Sequence, residues 1–201
     1  MNLSVRHLVT ALAIACAASA CSQPAEPPAP VAPTEPSAPV VPPPPAVPET
    51  PQAVTATATL AATEGNTAAG TLTLVAASDG VHITGTITGV AAAGSHGFHI
   101  HETGDCSAPD ATSAGPHFNP HGHAHGHPGE GEHHVGDMLN LTADADGVLH
   151  VDALAQAASL GDGGDGDVLG RAIILHAAPD DYHSQPAGDA GARIACGVIE
   201  R

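Results

Sequence analysis

From residue 53 onward, apolar and polar positions alternate repeatedly. Val54, Ala56, Ala58 and Leu60 are interleaved with Thr55, Thr57 and Thr59, the two-residue period of a strand with one buried face. Similar patterns predict strands over residues 71–75, 81–88, 97–101, 138–141, 148–154, 172–176 and 194–199. Turn chemistry separates several of them: Ser78-Asp79-Gly80 and Asp144-Ala145-Asp146-Gly147 both suit hairpin connections. Eight short strands without a convincing helical period predict an all-β, antiparallel sandwich or barrel. Residues 102–136 and 177–192 break the rhythm and are rich in Gly, Pro, Asp and His. Irregular stretches of that length inside a compact domain are functional loops or disordered ones.

Upstream the pattern changes character. Arg6 followed by a short apolar run over residues 8–20 is too brief for a comfortable membrane span and predicts a signal peptide, residues 1–20. Ala18, Ser19 and Ala20 before Cys21 resemble a bacterial lipoprotein processing site, which makes Cys21 the expected lipidation position and the lipid a membrane anchor. Cys16 and a plain cleavage near Ala20 are the alternatives. Residues 21–52 are dominated by proline, including Pro42–Pro45, and are expected to form a lipidated, extended spacer; a proline-rich recognition motif is the other reading. The globular domain is then residues 53–201, exported to the periplasm or cell envelope. With Cys16 and Cys21 assigned to the N-terminus, Cys106 and Cys196 remain as a pair, and an oxidising compartment favours a disulfide over two free thiols.

Composition narrows the partners. The chain has four arginines, no lysine and a formal net charge of -17, which makes nucleic acid and anionic membrane surfaces poor partners. Tryptophan is absent and aromatics make up 1%, so Val, Ile, Leu and Ala must build the core. Fifteen histidines are the conspicuous excess. On a strand over Gly97-Phe98-His99-Ile100-His101, Phe98 and Ile100 point to one face, and His99 and His101 project together from the other, roughly 7 Å apart at Cα and able to converge on one ion. Two solvated surface histidines are the bland alternative for such a pair taken alone.

The pair continues into Gly115-Pro116-His117-Phe118-Asn119-Pro120, His125, His134-Val135-Gly136-Asp137, His176, and Gly191-Ala192-Arg193-Ile194-Ala195-Cys196-Gly197-Val198-Ile199. Over residues 53–201 these motifs, in this order, resemble the copper,zinc superoxide dismutases. The resemblance implies an eight-stranded Greek-key barrel, an immunoglobulin-like sandwich, whose two long loops cover a copper ion and a zinc ion. It implies His99, His101, His117 and His176 on copper, and His117, His125, His134 and Asp137 on zinc, with His117 bridging. It implies Asp180 as the carboxylate accepting from His99 and His125, His96 as a structural brace, and Arg193 and His117 as the catalytic pair acting on superoxide. His121, His123, His127 and His133 crowd the same loop, so His125 is chosen by its spacing from His117 in the family pattern. A copper- or zinc-binding protein without turnover is the competing reading. A homodimer, the metal donor and the membrane leaflet stay open.

Overall fold

The computed structural model describes residues 53–201; the expected signal peptide, Cys21 and the proline-rich spacer lie outside the described residues. The strands are β1 (Thr55–Ala62), β2 (Ala69–Ala77), β3 (Gly80–Thr88), β4 (Ser95–His96), β5 (Phe98–His101), β6 (Leu141–Thr142), β7 (Val148–Gln156), β8 (Ala172–His176) and β9 (Arg193–Glu200). Seven form one antiparallel sheet in the order β5-β8-β9-β1-β2-β3-β7, and β4 pairs with β6. Both predicted turns are present. Ser78 and Asp79 join β2 to β3 where Ala77 pairs with Gly80. Before β7, the Asp144 carboxylate accepts from the amides of Asp146 and Val148.

Each half of the sheet shows why its residues form strands. In β1 the small apolar residues Ala56, Ala58 and Leu60 are buried while the threonines between them face out. In β7 Leu149, Val151, Ala153 and Ala155 do the same. These side chains share one core with Phe98 and Ile100 of β5 and Ile173 and Leu175 of β8, so the sheet curls until its two halves enclose a common interior. The strands β5 and β8 are buried at every position. Their second face, carrying His99, His101, Ala172, Ile174 and His176, lies beneath the two long irregular stretches, where Ala111, Ala114, Ala172, Ile174 and Cys196 form a small second core.

Two boundaries differ from the sequence pattern. The strand expected over 97–101 is present as β5, and a short unexpected strand, β4, precedes it across Gly97, so nine segments are seen where eight strands were expected. Of the strand expected over 138–141, only Leu141 lies in a regular ladder, because the preceding residues bend to bring Asp137 against His99. A three-residue 3-10 turn, Thr112–Ala114, also forms within the first long loop.

The outer edge of β5 is closed by that loop. Ile100 donates to the Gly136 carbonyl at 2.9 Å and accepts from the Phe118 amide at 2.8 Å. Such close approach requires glycine at 136, since a Cβ there would collide with the Ile100 carbonyl oxygen.

Candidate metal centre

Strand alternation turns His99 and His101 to the loop-covered face of β5, and His176 leaves the end of β8 on the same side. His117 is delivered by the loop, bridged to His101 across the β5 edge. Among the described residues two groups of four potential ligands converge, each with its donor atoms within 4.8 Å of one another: His99, His101, His117 and His176, and His117, His125, His134 and Asp137. All eight positions named from the sequence, counting His117 in both groups, are thus brought together and buried.

Hydrogen bonds fix which ring nitrogen each histidine presents. His99 donates through Nε2 to Asp180 Oδ2 at 2.7 Å, which leaves Nδ1 as the free lone pair. His101 donates through Nδ1 to the Gly115 carbonyl at 2.8 Å, leaving Nε2, which lies 3.4 Å from Nε2 of His176. His125 donates through Nε2 to Asp180 Oδ1 at 2.9 Å. Asp180 therefore spans the two clusters, orienting one ligand of each. The expected brace is present as well: His96 Nδ1 donates to the His176 carbonyl at 2.8 Å.

The donor set fits two metal ions. Nδ1 of His99, Nε2 of His117, and Nδ1 of His125 and His134 are buried without a hydrogen-bond partner and belong to the two converging groups, where bound ions would satisfy them. Nδ1 of His117, His125 and His134 stand 2.8, 3.1 and 3.2 Å from Asp137 Oδ1. Ligands around a tetrahedral ion with bonds of about 2.0–2.1 Å are separated by roughly 3.3 Å, close to these spacings.

The electrostatics of the two groups differ. Burial holds His117 at about 4 and His176 at about 3, and pushes His101 well down, so these imidazoles are neutral and offer lone pairs. Burial also disfavours a charged His125, yet the adjoining carboxylates of Asp137 and Asp180 raise it to about 9, a sign that this pocket favours positive charge. For Asp137 and Asp180 burial alone would raise the pKa; the surrounding histidines overcome it and hold both carboxyls below the usual range.

Arg193 is the first residue of β9, and its two terminal nitrogens donate to the carbonyls of Ala111 at 2.6 Å and Gly115 at 2.7 Å. Gly115 thus accepts from both Arg193 and His101. A cleft of about 970 Å³ reaches His101, His117, His176 and Arg193 from outside. Cys106 and Cys196 are joined in a disulfide with Cα atoms 5.8 Å apart, tying the loop that carries Ala111 and Gly115 to the strand that carries Arg193.

Several supporting residues were not anticipated. Asn140 donates through Nδ2 to the Asp180 carbonyl and accepts the Asp180 amide, both at 2.8 Å. Gln185 brackets His125 in the same way, accepting its amide at 3.0 Å and donating to its carbonyl at 2.8 Å. Gly188 has φ +69°, and a Cβ there would run into the Asp180 carboxylate and the His125 ring. No spacing marks these three: Asn140 and Gln185 act on backbone distant in sequence, and Gly188 matters only through the loop path that brings it against Asp180 and His125.

Known proteins resemble the chain over this same region. Residues 68–199 match the family described as copper/zinc superoxide dismutase. Superoxide dismutase [Cu-Zn] 2 of Aquifex aeolicus is 45% identical over 105 residues, covering 51% of this chain and 61% of that protein. The extracellular superoxide dismutase [Cu-Zn] of Brugia pahangi is 39% identical over 115 residues, 53% of this chain and 56% of that protein. The chain therefore spans somewhat over half the length of these curated relatives. A double mutant of a SOD-like protein from Bacillus subtilis superposes with a TM-score of 0.66 at 39% identity, over 72% of this chain and 97% of that one. Since the matched span takes in all the converging histidines, both carboxylates and Arg193, this chain belongs to the copper/zinc superoxide dismutase family.

Proposed function

We propose that the chain is an enzyme that dismutates superoxide, converting two superoxide anions and two protons to oxygen and hydrogen peroxide. The observation that carries this reading is the sharing of His117 between two buried ligand groups, only one of which is placed beside both an arginine and an open cleft. His99, His101, His117 and His176 would hold copper, since an all-imidazole set suits it. His117, His125, His134 and Asp137 would hold zinc in the closed four-ligand arrangement of a structural site. Copper, when bound, supplies the one-electron chemistry in both directions.

The protein's own groups set the conditions for that chemistry. Arg193 is held at Gly115, next to His101, and is the cationic side chain lining the cleft, so it attracts and orients a small anion there. His117 Nε2 belongs to the cluster that opens on the cleft and can hold a proton there when not otherwise bonded, placing one of the two protons needed by peroxide at the reacting end. The opposite ring nitrogen, Nδ1, is fixed on the Asp137 side, so the imidazole would keep its position whether or not Nε2 carries a proton. Asp180 holds His99 and His125 in their tautomers throughout.

Export belongs to the same proposal: residues 1–20 as a signal peptide, acylation of Cys21, and residues 21–52 as the spacer from the membrane. A disulfide and an extracellular relative support an oxidising compartment. Metabolic labelling with a fatty acid, lost in Cys21→Ser, tests the anchor. The decisive measurement for function is superoxide decay with the copper- and zinc-loaded protein. Rapid second-order removal is expected; stoichiometric metal binding with no turnover would establish a metal-binding protein instead.

A further inference from the structure

Between His117 and His134 the loop carries four histidines that neither cluster uses: His121, His123, His127 and His133. Two are engaged in the fold. His133 donates through Nδ1 to the His134 carbonyl at 2.7 Å, and His127 packs edge-on against Tyr182 at 4.6 Å between ring centroids.

His123 is arranged differently. Asn119 clamps its backbone, accepting its amide at 3.0 Å and donating to its carbonyl at 2.9 Å. Its ring donates through Nδ1 to the His133 carbonyl at 3.3 Å, which fixes the lone pair on Nε2, and that atom faces Glu132 Oε1 at 4.0 Å. A histidine steadied by an Nδ1–H to a backbone carbonyl and presenting Nε2 is oriented as metal-binding histidines are. His101, in the buried cluster, is held by the same kind of bond.

The exposed ring of His121 stands 5.7 Å from that of His123, with the planes 43° apart. The molecule supplies its own calibration for this distance. The three rings that converge on Asp137 stand 5.4, 5.5 and 5.6 Å from one another. Two imidazoles bound through nitrogen to one tetrahedral ion at about 2.0–2.1 Å would have centroids roughly 5 Å apart, so the ring spacing suits a shared ion once the exposed His121 ring turns a nitrogen toward His123 and Glu132.

We propose that His121 and His123, with the Glu132 carboxylate, form a third and solvent-exposed site for a divalent ion of the zinc and copper class, completed by water. Two imidazoles and a carboxylate suit both ions. Exposure makes this ion exchangeable, in contrast to those expected in the buried clusters, and the site sits on the loop segment that also carries His125 and His134. It does not depend on whether the protein turns over superoxide.

The test uses the untagged full chain with both buried clusters filled and counted by elemental analysis, then titrated with Zn2+ in a calorimeter. One further equivalent is expected in the natural sequence. The variant carrying both His121→Ala and His123→Ala should bind that equivalent at least tenfold more weakly while keeping its two buried ions; Glu132→Gln should weaken it less, and His127→Ala should leave it unchanged. A natural protein that takes up no further ion, or a double variant that binds it undiminished, would overturn the proposal.

Discussion

His117 has one ring nitrogen on the Asp137 side and the other in the group opening on the cleft, so its replacement affects both metals at once. His117→Ala is expected to abolish dismutation and weaken both metals, whereas His121→Ala leaves turnover nearly intact; metal content and superoxide decay measured together check this. Asp180→Ala removes the acceptor that orients His99 and His125. Losses of about 10- to 100-fold in affinity are expected at both sites, read by competition with a chelator. Loss at one site alone would mean that Asp180 does not couple them. Gly188→Ala should act on the same carboxylate from the other side, because its backbone has a positive φ and its added methyl meets Asp180. Destabilisation of more than about 1 kcal/mol is expected in thermal or denaturant unfolding.

At the level of elements, the strands were legible because one buried face imposes a two-residue period, as in β1 and β7. β8 was expected from the same pattern, but its burial on both faces was not, since the second face is covered only by the docked loops. The short strand β4 and the fading of the ladder before Leu141 were not legible, because both depend on contacts with distant segments that no local pattern records. The site residues could be named from ordered motifs, but Asn140, Gln185 and Gly188 could not, since their partners are 40, 60 and 8 residues away in the chain. The disulfide acts between elements. It closes a separation of 90 residues, for which the chain-entropy model gives on the order of 4 to 5 kcal/mol. Reduction should therefore lower the thermal midpoint and, by freeing the loop whose carbonyls hold Arg193, slow turnover even while the metals stay bound. Unchanged unfolding after reduction would remove this role.

For the whole molecule, a formal charge of -17 stands against the anionic substrate proposed above. The loop over residues 177–192 carries no lysine to offset it. Yet the Debye length is about 8 Å at physiological salt, so remote carboxylates are screened while Arg193 acts within the cleft itself. A shallow fall of rate with ionic strength is expected, and a loss of about tenfold or more for Arg193→Glu, equivalent to about 1.4 kcal/mol in the barrier. Pulse radiolysis across a salt series checks it, and a rate that climbs with salt would show that global repulsion dominates. The seal along β5 carries a different consequence. That strand ends the main sheet, and its outward amide and carbonyl at Ile100 are satisfied by Gly136 and Phe118, which belong to the same loop as the proposed ligands His117, His134 and Asp137. Ions held by those residues would steady the loop and with it the cover over a strand edge. An uncovered, apolar β-edge can recruit a second chain, so the residues proposed to hold metal would double as protection against edge-to-edge polymerisation.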